Sequence, residues 1–325
     1  MTCAGLPTTV LAMSRARTNS PPERSDRAAR RSYSLDGREL TAAAIRPGLH
    51  IVSTPIGNLG DITLRALSTL AAADLIACED TRVTRKLLDR YAIAVPLTPY
   101  HDHNAATARP KLLQKLAEGA AIALVSDAGT PLISDPGFKL VRAAHDAGYP
   151  VITIPGASSL LAALTVSGLP TDQFLFAGFL PPKQASRRAR IAELARSPAT
   201  VVVFEAGSRI AEALADLAAI FGEREAAVCR ELTKLHEEVR RGPLATLARE
   251  SAEAETRGEF VLVIAPPPAA ARPSEDDADA LLRAALARIS LKDAVGEVAV
   301  ATGLPRRTLY QRALTLAGGK NRESD

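Results

Sequence analysis

The chain has no tryptophan, only 4% aromatic residues, three cysteines and no long apolar run. Each shortage excludes something. So few aromatic rings argue against a broad base-stacking surface of the kind used by non-specific single-strand binders. Cys3, Cys78 and Cys229 include no CxxC pair. Neither a disulfide framework nor a zinc site is therefore indicated, and a reducing compartment is expected. No stretch of about 18 apolar residues is present, so no membrane span is expected. The short apolar run Leu11 to Met13 lacks a basic segment before it and is not read as a secretory leader. These absences lead to the expectation of a soluble cytoplasmic protein.

A basic folded surface is also missing. Residues 1–48 hold eight arginines against four acids, which accounts for the whole net charge of +4; the other 277 residues balance. The sequence pI near 9.1 thus reports the N-terminal stretch and not a globally basic domain. That stretch is rich in Ser, Pro, Arg and Ala, without amphipathic period, and reads as a disordered extension over 1–48.

What is present is a chain of 325 residues, 47% hydrophobic, long enough for two cored domains. From Leu49 onward, strand and helix signals alternate. Strands are expected at 50–54, 75–78, 121–125, 151–154, 173–177, 201–205, 226–231 and 260–265. Helices are expected at 63–73, 81–91, 104–118, 136–146, 158–166, 183–195 and 208–220, with Gly148 closing the fourth. The rhythm is that of an α/β fold in two domains, 49–165 and 166–268. A Pro/Ala-rich linker at 269–274 leads to a helical module over 275–325. There, a helix, the turn Gly303-Leu304-Pro305 and a helix opening on Arg306-Arg307 form a helix-turn-helix pattern.

Three loops share one design: a buried strand, then Pro and Gly, then small residues opening a helix. They are Ser53-Thr54-Pro55-Ile56-Gly57-Asn58, Ser126-Asp127-Ala128-Gly129-Thr130-Pro131, and Pro155-Gly156-Ala157-Ser158. None is a GxGxxG or Walker loop, so neither a dinucleotide nor an NTP phosphate is indicated. Three such loops after three strands should converge on one sheet edge, where open α/β sheets bind ligands. Asp61 is expected to cap the helix that follows the first loop. Asp127 and Asp135 read equally well as turn residues. Mixed-charge clusters follow other strands: Cys78-Glu79-Asp80-Thr81-Arg82, His101-Asp102-His103-Asn104, and Cys229-Arg230-Glu231-Leu232-Thr233-Lys234. No metal-ligand set and no nucleophile elbow is found among them.

Taken in order, these motifs resemble those of the tetrapyrrole methylase superfamily, in a branch that acts on ribosomal RNA; Phe176 to Lys183, Phe204-Glu205 and Arg230 to Lys234 match that branch too. The resemblance covers about residues 49–268 and, weakly, the C-terminal helices. It implies two α/β domains with S-adenosyl-L-methionine in the cleft between them, and a homodimer. It further implies 2′-O-methylation of a cytidine ribose in the decoding region of 16S ribosomal RNA, with the 30S subunit as partner. Carried over, Pro55, Asp127, Gly129, Thr130, Pro131, Pro155, Gly156, Ala157 and Ser158 would contact the cofactor. Loops near Glu205 and Arg230 would close over it.

Methyl transfer from a sulfonium needs alignment above all, with a base or oriented acceptor for the hydroxyl proton. Candidates are Glu79, Asp80 and Glu231, with Arg82, Arg230 or Lys234 on phosphate and His103 or Asn104 on ribose. RNA contacts are expected from Arg82, Arg85, Lys86, Lys183, Arg187, Arg188 and Arg190, and from Arg306, Arg307 and Arg312 in the terminal module. Two other readings stay open: a methyltransferase for a macrocycle such as a precorrin, and a non-catalytic RNA-binding factor that keeps the fold.

Overall fold

The computed structural model describes residues 31–253, 257–268 and 275–318. Two compact units divide between Ser159 and Leu160, earlier in the chain than the expected boundary at 165/166.

The first unit is built on a five-stranded parallel sheet in the order β5-β4-β6-β3-β7. Its strands are β3 (Gly48–Val52), β4 (Leu75–Cys78), β5 (Leu97–Pro99), β6 (Ala121–Val125) and β7 (Val151–Ile154). Central strand β6 is buried along its whole length, which its run Ala-Ile-Ala-Leu-Val suits. Its alternate side chains feed two cores. Ala123 and Val125 pack with Leu67 and Leu70 of α1 (Leu64–Ala72) and Leu87 and Leu88 of α2 (Thr81–Arg90). Ile122 and Leu124 pack with Leu112 of α3 (Ala105–Ala117) and Leu140 of α4 (Phe138–Asp146). Strands β3 and β6 are neighbours, yet the chain leaves β3 towards β4 and leaves β6 towards β7, in opposite directions across the sheet. Adjacent strands with diverging connections open a crevice at their carboxyl ends.

Two expectations are corrected in this unit. The extension read as disordered over 1–48 contains a hairpin, β1 (Ser32–Leu35) and β2 (Arg38–Thr41), joined by Asp36-Gly37 at φ 49° and 74°. An Asp-Gly pair at positive φ is a strong two-residue hairpin signal. Tyr33 enters the core beside α1, the Ser34 N–H donates to the Tyr91 carbonyl at 2.7 Å, and Arg31 pairs with Asp74. Residues 1–30 lie outside the described residues. The second correction concerns the cap of α1. Thr63 holds that position, accepting the Ala66 N–H at 3.0 Å, while Asp61 sits in a short 3-10 turn before it.

In the second unit, α5 (Ser159–Ser167) leads to a mixed sheet in the order β11-β10-β12-β9-β8. It comprises β8 (Phe174–Phe179), β9 (Thr200–Ala206), β10 (Glu225–Arg230), β11 (Glu238–Pro243) and β12 (Glu259–Ile264). Helices α6 (Gln184–Leu194), α7 (Ile210–Phe221) and α8 (Leu244–Glu253) bury Ile191, Leu214 and Leu247 against it. Strand β11 and helix α8 were not expected. The segment Glu-Val-Arg-Arg-Gly-Pro reads as a loop, but it is an edge strand, where charge and proline are tolerated.

The terminal module has its own core, formed by Leu282 of α9 (Glu275–Leu286), Val295 and Val298 of α10 (Leu291–Thr302) and Leu309 of α11 (Arg306–Gly318). Ser290 caps α10 and Gly303, at φ 68°, ends it, so the expected helix-turn-helix forms. The expected linker 269–274 lies outside the described residues.

Because Tyr33 is a core side chain, Tyr33→Ala should destabilise the protein by about 3 kcal/mol in denaturant titration. A dispensable tail would leave the midpoint unchanged.

Candidate active site

The three Pro/Gly loops do converge. The Ser53 and Thr130 hydroxyls lie 3.0 Å apart, and the Thr130 hydroxyl donates to the Ala157 carbonyl at 3.1 Å. Residues Thr54 and Gly129 exchange two backbone hydrogen bonds, at 2.9 and 3.1 Å. A Cβ at Gly156 would stand 3.0 Å from that of Ser53. Gly129, at φ 80°, lies in the left-handed region and faces Ile56, so any side chain there would be strained. Loops after β3, β6 and β7 are thereby locked into one surface at the carboxyl ends of the strands. Pro55, Pro131 and Gly129 are buried within it and Thr130 is half-buried. Asp127, Pro155 and Gly156 are exposed, and Ala157 and Ser158 are half-buried.

The same edge gathers carboxylates. Asp127 accepts the Asp80 backbone N–H at 3.0 Å, tying the β6 loop to the end of β4. Burial, then the neighbouring charges of Asp127, Asp135, Asp102 and Asp80, raise the Glu79 pKa. Burial chiefly pushes Asp135 up to about 6, against a hydrogen bond from Ser126. Such an edge repels phosphate and favours a cation. Asp135, read from sequence as a turn residue, belongs to this cluster. Its signal was its distance of eight residues from Asp127 in a loop where Leu132 and Ser134 also take positive φ.

The structure separates the candidate bases. The Asp80 carboxylate is gripped by the Arg82 guanidinium, caps α2, and is held near pKa 2. Such a group is a weak proton acceptor. Glu231 is pulled up by burial, but bonds from Lys234 at 2.9 Å and the Glu259 N–H at 2.9 Å prevail and hold it low. Lys234 also binds Glu259, and Arg230 donates to the Arg257 carbonyl at 2.9 Å. Glu231 and Lys234 thus satisfy each other within the second unit, while Arg230 is held by the Arg257 carbonyl and Glu238. Glu79 alone of the proposed bases has no hydrogen bond or ion pair among the described residues.

Other expectations are corrected outright. Arg187 was expected on RNA; its side chain is 2% exposed and paired to Asp216 at 2.8 Å and Glu212 at 3.2 Å. A buried, fully engaged guanidinium cannot reach a phosphate. Arg312 is bound to Asp279 at 2.7 Å, while Arg190 pairs with Glu193 only at the surface. The Asn104 side chain accepts the His101 N–H and donates to the Pro99 carbonyl, closing its own loop. Glu205, expected near the cofactor, is buried and paired with Arg209. Arg82, Arg85, Lys183, Arg306 and Arg307 are exposed.

Comparison with known proteins follows from this geometry. Residues 48–248 match the family of tetrapyrrole (corrin/porphyrin) methylases. The chain belongs to the tetrapyrrole methylase family. Residues 272–317 match the RsmI C-terminal HTH domain. A ribosomal RNA small subunit methyltransferase I from Mesorhizobium japonicum is 52% identical over 281 residues, 86% of this chain and 95% of that protein. One of the same name from Erythrobacter litoralis is 53% identical, covering 85% and 98%. Among solved structures, the cobalamin biosynthetic enzyme cobalt precorrin-4 methyltransferase CbiF aligns with TM-score 0.52 at 15% identity, over 67% of this chain and 94% of its own. The methyltransferase CobJ does so with 0.52 at 20% identity, covering 67% and 94%. At such identity the likeness is one of fold.

Two predictions arise from the charges. Asp135 binds a proton more tightly folded than unfolded, so stability should fall as pH rises from about 4 to 6. Asp135→Asn should flatten that slope in melts across this window, and should stabilise the protein above pH 6. Asp216→Ala leaves the Arg187 charge buried without its main partner and should cost about 3 kcal/mol, read by denaturant titration.

Proposed function

We propose that this chain is a methyltransferase that uses S-adenosyl-L-methionine to methylate the ribose 2′-hydroxyl of a cytidine in the decoding region of 16S ribosomal RNA. It acts as a homodimer in the cytoplasm, on the 30S subunit. The observation that carries the reading is the acid-rich sheet edge of a tetrapyrrole methylase in a chain whose relatives, matched over most of its length, are named for small-subunit RNA. The cofactor is a cation with an ammonium and a sulfonium, and the residues present fit it: exposed Asp127, the main chain of Pro155 and Gly156, and the hydroxyl of Thr130. A phosphate-bearing cofactor would meet repulsion at the same edge.

When bound, the cofactor supplies a methyl carbon already activated by its sulfonium. The chain's own work is then alignment and proton handling. Asp127 pairs with positive charge, and the locked loops hold the ligand with little reorganisation. Glu79 accepts the hydroxyl proton, because its raised pKa and free carboxylate suit a base better than Asp80 or Glu231. Arg82 and Arg85, exposed on α2, and Lys183, exposed in the second unit, are the candidates for RNA phosphate.

The precorrin-type reading has the fold likeness in its favour. The C-terminal HTH match and the names of the relatives favour RNA.

Incubation with labelled cofactor and 30S subunits, followed by nuclease mapping, should put the label on one cytidine ribose; label on a base, or none on RNA, would refute the reading. Asp127→Ala should weaken cofactor binding about tenfold by calorimetry. Glu79→Gln should lower kcat about 100-fold while leaving cofactor affinity within a few-fold. Unchanged kcat would remove Glu79 from proton transfer.

A further inference from the structure

The terminal module carries a groove between α10 and α11 of about 830 Å³, within the range of ligand clefts. Its charges are unbalanced in a specific way. Two acids line it, but Glu297 is bound to Arg288 at 2.9 Å and Asp293 to the capping Ser290 hydroxyl at 2.6 Å. The cations Lys292, Arg306 and Arg307 also line it, and none has an ion pair among the described residues. Tyr310, 47% exposed, lines it as well, next to a core residue, Leu309, that fixes its helix. Val300 across the groove is 83% exposed.

The groove also contains Gly296, in the interior of α10. Glycine there weakens a helix relative to alanine. No packing demand explains it, because an added Cβ would meet nothing within 4 Å. The glycine lines the groove from the α10 side, where the lack of a side chain leaves open space.

Free cations around one exposed ring, with an apolar wall and an open floor, are complementary to an unpaired nucleotide: phosphates to the arginines, a base to the ring. A duplex would use the charges but not the ring, since its bases are already stacked. We propose that this groove binds a single-stranded segment of RNA, with one base stacked on Tyr310 and the flanking phosphates on Lys292, Arg306 and Arg307. The inference rests on the reading of the chain as an RNA enzyme and adds to it a second contact, in the terminal module. Low aromatic content excludes a broad stacking platform, but a single ring set among cations suffices for one base.

The test uses the full chain, a labelled ten-nucleotide single strand and its duplex, with fluorescence anisotropy over a salt series. Tyr310→Ala should weaken single-strand binding about tenfold and duplex binding hardly at all. Tyr310→Phe should bind as the parent, because stacking needs the ring and not the hydroxyl. Tyr310→Leu, which keeps an apolar side chain without the ring, should behave as alanine. Arg307→Ala should reduce the salt slope for the single strand by about 0.7, the value for one lost phosphate contact. Gly296→Ala should raise the melting temperature and yet weaken single-strand binding by narrowing the groove. Single-strand affinity unchanged in Tyr310→Ala, or equal losses on strand and duplex, would overturn the proposal and point to simple electrostatics or a protein occupant. Methyl transfer to 30S subunits is measured in parallel. Its absence in the parent protein would refute the enzymatic reading without touching the Tyr310 comparison.

Discussion

Everything at the candidate active site depends on how three loops are tied together at the carboxyl ends of β3, β6 and β7. The Ser53–Thr130–Ala157 hydroxyl relay and the Thr54–Gly129 backbone pair convert three separate strand exits into one rigid surface. The lock works only with small residues. Gly156 lies against Ser53 and Gly129, in the left-handed region, against Ile56, so a side chain at either would press on its neighbour. A surface of this kind presents main-chain groups and one exposed carboxylate, Asp127, without needing to rearrange when a ligand arrives.

Charge at that surface is divided by partnership. Asp80 is neutralised by Arg82 and spent on capping α2, and Asp127 gives one oxygen to the chain itself. Glu79 and Asp135 are left with raised pKa values because burial and like charges act on them without a cation in compensation. A bound cation would relieve this repulsion. In the second unit the logic is reversed: Lys234 closes on Glu231 and Glu259, which spends their charge on shaping a loop where Glu231 and Thr233 both take positive φ. The same residue types are therefore left uncompensated in one unit and close a loop in the other.

Arginine shows the division most plainly. Arg187, with Asp216 and Glu212, joins α6 to α7 and donates to the Pro182 carbonyl, so it supports the loop that carries Lys183. Arg312 joins α9 to α11 through Asp279. Arg82, Arg85, Arg306 and Arg307 remain at the surface. Spacing along a helix identifies a basic face; only packing tells which members of it are used up.

The sequence by itself determined the α/β alternation, the three converging loops and the terminal helix-turn-helix. These depend on local signals: buried β-branched runs, Pro-Gly strand exits, and a glycine in the left-handed region at Gly303. It also held the Asp36-Gly37 hairpin, hidden only because the surrounding composition reads as tail. Strand β11 was less legible, since an edge strand lacks the apolar pattern that marks a central one. What only the tertiary structure decided was the fate of each charged group. Whether Glu79 is free to take a proton, and whether Arg187 faces solvent, depends on partners many residues away, whereas Asp80 and Glu231 are held by Arg82 and Lys234, close by in the chain but placed there by the fold. A carboxylate's pKa and a guanidinium's reach are properties of those neighbours and of burial, neither of which any stretch of sequence contains.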